Sequence, residues 1–207
     1  MPSANSADRI VWIDCEMTGL DVVNDALIEV AVLITDSELE VLDPGLDLVI
    51  KPPEGALAQM PDIVREMHTS SGLLTELNDG LTMADAERRV LEYVRGFVPE
   101  ARKAPLAGNS VGTDRAFLAR DMPALENHLH YRIIDVSSVK ELARRWYPRA
   151  YFASPPKAGG HRALADITES IRELRYYREA VFVPAPGPDT DAARAVAARH
   201  AGDDAPA

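Results

Sequence analysis

Cysteine is almost absent. Among 207 residues only Cys15 carries a thiol, which excludes an intrachain disulfide and fits a reducing compartment. The opening Met1-Pro2-Ser3-Ala4-Asn5-Ser6 lacks the basic start and apolar core of a secretory signal, so a cytoplasmic location is expected. Long apolar runs are missing as well. Nothing approaches the ~20 residues that span a bilayer, since Glu29 and Asp36 break even the run around Leu27 to Thr35, and no membrane association is expected. Positive charge is scarce, with 22 Lys and Arg against 33 Asp and Glu and a formal net charge of −11. A protein that tracks long nucleic acid carries a basic groove, because each neutralised phosphate adds counterion-release affinity. No basic stretch is present here. If nucleic acid is the partner, the balance favours a short piece held by a few local contacts.

What remains is an ordinary globular composition, 46% hydrophobic and 27% charged, in a length that suits one domain. Residues 1–8 read as a loose tail, 9–182 as the domain, and 183–207 as an Ala-rich tail, disordered or a fraying helix. Ile10 to Asp14 and the nearly continuous aliphatic run Leu27 to Thr35 predict two strands, the second covered on both faces. Leu46 to Ile50 predicts a third after a kink at Pro44-Gly45, and the short links imply an antiparallel meander. A broken helical stretch follows, with Pro61 at one helix start. Thr82 to Asp85 then resembles a capping box ahead of Ala86, Val90, Tyr93, Val94 and Phe97 at helical spacing. Two strand–helix units come next: Ala104 to Gly108 with Asp114 to Arg120, and Tyr131 to Asp135 with a helix from Ser137 or Ser138 to Pro148. Pro- and Gly-rich residues 147–160 predict a mobile loop, and Leu164, Ile167, Ile171 and Leu174 share one face of a helix from Ala163 to Ala180. The fold class is α/β: a mixed five-stranded sheet, three antiparallel strands then parallel βα units, flanked by helices.

The first strand carries two acids where a sheet favours none. Successive strand side chains alternate, so Asp14 and Glu16 share a face with Cys15 on the other. Two close carboxylates at the end of a buried strand repel each other and lose hydration unless a cation lies between them. Mg²⁺ and Mn²⁺, which prefer carboxylate oxygens, are the simplest candidates. Each acid and histidine also has a plainer account. Asp14 and Glu16 fit a solvated turn, Asp114 a helix N-terminus, Asp166 a pair with Arg162 four residues back, and His161 an exposed loop position. For His161 and Asp166 to converge, His161 must project from the loop, because a spacing of five puts them on different helix faces.

Taken as a set, four carboxylates and one histidine in this order resemble the DEDDh exonucleases of the ribonuclease H-like fold. Within them, Asp-x-Glu-Met-Thr-Gly-Leu at 14–20, Gly-Asn-Ser-Val-Gly-x-Asp-Arg at 108–115 and Tyr-Arg-x-x-Asp-Val-Ser at 131–137 are similar to the oligoribonuclease family. The resemblance implies a 3′-to-5′ exoribonuclease that cuts RNA of a few nucleotides, down to linear dinucleotides, to 5′-monophosphates. It implies two divalent metal ions per site, Mg²⁺ or Mn²⁺, on Asp14, Glu16, Asp114 and Asp166, with His161 as general base. It further implies that Ser110, Arg132, Ser137 and Ser138 hold the 5′-terminal phosphate, that Leu20 wedges against a base, and that Met60 and His68 contact substrate. Tyr131 is implied to reach a neighbouring subunit's site in a homodimer. Two departures stand out: Ile63-Val64 occupies a stretch where the family often has Trp, and Ser138 replaces a common Thr. An exonuclease for longer DNA or RNA ends is the alternative enzyme, and a metal–nucleotide binding module without chemistry the alternative outside enzymes.

Overall fold

The computed structural model describes residues 8–156 and 159–201. Most of the expected N-terminal tail lies outside them. Five strands, β1 (Ile10–Met17), β2 (Leu27–Thr35), β3 (Leu46–Val49), β4 (Pro105–Gly108) and β5 (His130–Asp135), form one sheet in the order β3-β2-β1-β4-β5. β1–β2 and β2–β3 are antiparallel, whereas β1–β4 and β4–β5 are parallel. This is the expected mixed sheet. Every residue of β2 is buried, as a strand covered on both faces requires.

The alternation along β1 sorts the two layers. Val11, Ile13 and Cys15 face α3 (Met83–Phe97) and α4 (Gly112–Asp121), packing with Val90, Val94, Phe117 and Leu118. Ile10 and Trp12 face α6 (Val136–Trp146) and α8 (Ala163–Val181), packing with Val136, Ala163, Ile167 and Ile171. The Trp12 indole donates to Thr35 Oγ1 at 3.0 Å, so its one polar atom is satisfied. Asp14 and Glu16 continue the Trp12 face and therefore point towards α8. Glu29 opposes Glu16 across the β1–β2 pair, and Asp47 opposes Ala31, so the same face turns from apolar to acidic at one end of the sheet.

Thr82 caps α3 as expected, accepting from Asp85 N–H at 3.1 Å. α6 differs from the reading that began it at a serine. Its N-cap is Asp135, whose carboxylate accepts from Ser137 N–H at 2.9 Å. The span expected to be a mobile loop opens instead with a one-turn helix, α7 (Pro148–Phe152), because Pro at the first helical position needs no N–H partner. The short helices α1 (Asp62–Ser70), α2 (Leu73–Glu76) and α5 (Pro123–His128) complete the layers, and α9 (Thr190–His200) forms in the C-terminal stretch with every residue exposed. Among the described residues no helix is long and apolar enough to cross a membrane.

Candidate active site

At the acidic end of the sheet, oxygens of Asp14, Glu16 and Asp166 lie within 4.8 Å of one another. Two come from the end of β1 and the third from the first turn of α8, which Ile167 and Ile171 anchor on the Trp12 face. A cleft of about 450 Å³ opens on them and is also lined by Asp114, His161, Leu20, Asn109, Ser110 and Glu169. The four carboxylates and the histidine thus meet in one place. Asp114 sits in the first turn of α4 and turns Oδ1 onto the Cys15 N–H at 3.0 Å, which ties α4 to β1.

The electrostatics are strained without a cation. Burial pushes the Asp14 carboxyl up to about 9, and repulsion from Asp114, Glu16, Asp166 and Glu29 adds to it. Glu16 rises to about 8, through burial and then Glu29, Asp166 and Asp114, against a smaller opposing pull from Arg162. Asp114 rises to about 6 by burial, restrained by its hydrogen bonds from backbone and Cys15. Hard oxygen donors crowded at this spacing fit a divalent Mg²⁺- or Mn²⁺-like ion, whose charge would reverse these shifts. A larger cleft of about 580 Å³, lined by Val23, Lys51, Met83 and Arg120 among others, carries the acids Asp25 and Asp121, and among the described residues no metal-holding group of three falls there.

His161 precedes α8 with φ 48, a left-handed conformation that lifts it off the helix and into the cleft. The plainer account of Asp166, a pair with Arg162, is not where the Arg162 guanidinium goes. Arg162 Nε instead donates to the fully buried Glu29 at 2.7 Å, and its terminal nitrogens grip Glu76 at 2.8 and 3.1 Å. The other Glu29 oxygen accepts from Ala163 N–H at 3.2 Å. The residue after His161 and the first residue of α8 are therefore both fastened to β2. Sequence reading missed this clamp, although a lone acid within the apolar run of β2 was its signal.

The candidate substrate residues divide. Leu20 is 79% exposed on a built turn: Thr18 Oγ1 donates to Asp25 at 3.1 Å and accepts from Ala26 N–H at 2.9 Å, while Asp25 accepts from Asp21 N–H at 2.8 Å. Gly19 is needed there, since a Cβ would lie 2.3 Å from Asp25 Oδ2. Ser110, Ser137 and Ser138 gather around the Asp135 carboxylate, which accepts from Ser110 N–H at 3.0 Å, from Ser137 N–H and from Ser138 Oγ. Arg132 and Tyr131 lie exposed on β5, the guanidinium 5.4 Å from the ring centroid. Met60 and His68 are both buried. Met60 is buried with Ile28, Leu73 and Leu77 away from the cleft. His68 is fully buried, with Nε2–H on the Met17 carbonyl at 2.9 Å and Nδ1 turned to Glu16 at 3.9 Å, so it stands directly behind the acids. Burial also lowers its pKa, favouring the neutral ring. Ile63 is exposed, and Val64 is partly buried against the Met60 cluster.

With this geometry in view, a family model described as RNase_T exonuclease matches residues 11–174. An oligoribonuclease from Streptomyces coelicolor is 72% identical over 193 residues, covering 93% of this chain and 96% of its own. An oligoribonuclease from Leifsonia xyli is 64% identical over 195 residues, covering 94% of each. Among solved structures, exonuclease I from Methylocaldum szegediense superposes with a TM-score of 0.61 at 22% identity, over 84% of this chain and 41% of its own. The zinc-bound E. coli exonuclease I–ssDNA complex matches with a TM-score of 0.61 at 16% identity, over 84% and 41%. The chain thus spans about two fifths of these solved structures, and at such identities they share its fold alone. Near-full-length identity, the family match and the acid cluster lead to one assignment: the chain belongs to the oligoribonuclease family of exonucleases.

Proposed function

We propose that this chain is a metal-dependent 3′-to-5′ exoribonuclease that hydrolyses RNA fragments of a few nucleotides, including linear dinucleotides, to 5′-mononucleotides. One observation carries the reading: oxygens of Asp14, Glu16 and Asp166 converge within 4.8 Å in a cleft that Asp114 and His161 also line. These four carboxylates would hold two divalent ions, Mg²⁺ or Mn²⁺. When bound, such a pair activates a water and stabilises the departing 3′-oxygen at phosphorus.

The side chains do the rest. His161, free of the helix and at the cleft, takes the proton of the attacking water, for which a neutral imidazole near working pH is suited. The Glu29–Arg162 clamp keeps it there. Ser110, Ser137 and Ser138 offer hydroxyls and Arg132 a guanidinium to a 5′-terminal phosphate, and Leu20 presents an apolar edge to a base. A site that grips both ends of its substrate favours short chains, and the net charge of −11 disfavours long ones. A cytoplasmic location fits the buried lone Cys15.

A homodimer completes the proposal. β5 is an edge strand, and Tyr131, Ile133, Leu142 and Trp146 expose large apolar surface on it and on α6. Such a face suits a second copy, which Tyr131 would then approach.

The test is turnover of a 5′-phosphorylated dinucleotide and of a twenty-nucleotide RNA with Mn²⁺. Release of monophosphates from the short substrate, abolished in Asp114→Ala and slowed at least a hundredfold in His161→Ala, supports the reading. Faster turnover of the long RNA would favour the alternative exonuclease, and full activity of Asp114→Ala would refute the metal assignment.

A further inference from the structure

Behind the serines lies a side chain with no role in the reaction described above. Asn109, the residue before the left-handed Ser110 (φ 52), has every polar group of its amide engaged. Its Nδ2 donates to Ser170 Oγ at 2.7 Å and to Glu173 at 3.2 Å, and its Oδ1 accepts from Ser137 Oγ at 2.9 Å. The amide cannot flip, because Glu173 only accepts. Ser170 in turn donates to the Asp166 carbonyl at 2.8 Å, one turn back along α8. Glu173 is buried and held from its other side by Lys140 of α6 at 3.0 Å.

Counting protons fixes the direction of this chain. Ser137 has one hydroxyl proton and gives it to Asn109, so in the 3.1 Å contact between Ser110 Oγ and Ser137 Oγ it is Ser110 that donates. Donation therefore runs Ser110 to Ser137 to Asn109, and from the same amide to Ser170 and the backbone of Asp166. A phosphate monoester arriving at the serines is acceptor-rich and draws both hydroxyl protons outward. Asn109 Oδ1 then loses its donor. The hydroxyl protons can thus turn inward or outward, and Asn109 is the group that joins Ser137 to Ser170 of α8.

We propose that Asn109 is a positioning residue that couples occupancy of the terminal-phosphate subsite to the placement of Asp166, so that a 5′-phosphate on the substrate raises the rate of cleavage as well as affinity. This rests on the reading of Ser110, Ser137 and Ser138 as that subsite. It adds that specificity for very short RNA is expressed partly in kcat, through a link that touches neither the phosphate nor the scissile bond.

The experiment compares 5′-phosphorylated and 5′-hydroxyl dinucleotides in the wild type, Ser170→Ala and Asn109→Ala. kcat is measured with Mn²⁺, and dinucleotide affinity separately in EDTA, where no cleavage occurs. Ser170→Ala cuts the link on the far side from the subsite and removes a single hydroxyl, so it spares the fold if Asn109→Ala does not. The expected result is a kcat ratio, phosphorylated over unphosphorylated, that falls about fivefold to tenfold in Ser170→Ala. Its affinity for the phosphorylated dinucleotide in EDTA stays within twofold. An unchanged ratio, including equal slowing of both substrates, overturns the coupling and leaves the subsite reading intact. A wild type indifferent to the 5′-phosphate in both affinity and kcat overturns both.

Discussion

Replacing Glu29 by alanine removes a fully buried carboxylate that lies beside the acids and 133 positions from the arginine it binds. Three contributions set the size of the effect. Loss of a charge-assisted hydrogen bond costs about 1.5–3 kcal/mol, and a buried N–H left without an acceptor about 1–3 kcal/mol. Against these, Arg162 is 29% exposed and keeps Glu76, so its guanidinium is neither fully buried nor deserted. Removing Glu29 also relieves its repulsion of Glu16, Asp14 and Asp47. The balance is a loss of about 2 kcal/mol, which for a chain of 207 residues lowers the melting temperature by about 4–8 °C. Activity should fall further than stability suggests. Freed from β2, the junction holding His161 and Asp166 shifts, and a displacement of about 1 Å in a reacting group costs about a hundredfold. The assay is dinucleotide turnover with thermal melting of the same preparation: kcat down about a hundredfold, KM within about threefold. Glu29→Gln, which keeps one acceptor and loses the charge, should fall between. A Glu29→Ala protein with wild-type kcat would refute the clamp.

Carboxyls raised to about 9, 8 and 6 at Asp14, Glu16 and Asp114 bind protons in the metal-free fold that the unfolded chain releases from about pH 4 upward. Metal-free stability should therefore decline as pH rises through that window towards 9. Mn²⁺ should raise the melting temperature more at pH 8 than at pH 6, with proton release visible by calorimetry in buffers of differing ionisation enthalpy; equal stabilisation at both would contradict it. Gly19→Ala, whose Cβ would collide with Asp25 at 2.3 Å, should displace Leu20 and raise KM for dinucleotides several-fold, at a stability cost of about 1–3 kcal/mol. Ile171→Ala, in the α8 layer, should cost about 2–5 kcal/mol in denaturant titration. The proposed homodimer predicts that the wild type scatters light as a dimer and Trp146→Glu as a monomer; a dimeric variant would place the interface elsewhere, and a monomeric wild type would refute the dimer.

The strands and the mixed class of the sheet were legible because strand periodicity is local, whereas the placing of β4 beside β1 is a tertiary pairing that no local pattern encodes. Nine consecutive residues in β2 read as a strand buried on both faces without reference to any partner. The Thr82 cap was legible for the same reason. The gathering of Asp114, His161 and Asp166 at the end of β1 was implied only by the family resemblance that the motifs carry, since nothing in periodicity joins residues so far apart. What stayed hidden depended on tertiary contact. Arg162 could pair with Asp166 four residues on, and a helix face alone does not reveal that Glu29 offers a buried partner. Nor does linear neighbourhood reveal that His68 and Met60 are both buried. Asp135 took the cap from the neighbouring serines because its carboxylate reaches two N–H groups together.

The pleat of β1 has a consequence for quality control. Asp14 and Glu16 meet α8 only because they fall in step with Trp12, so slippage by one position against β2 would drive both acids into the oily layer under α3 and turn Cys15 towards the cleft. A chain zipped out of phase would be unstable and inert at once. Faulty copies would unravel for removal and would not linger as intact decoys that sequester RNA without cutting it.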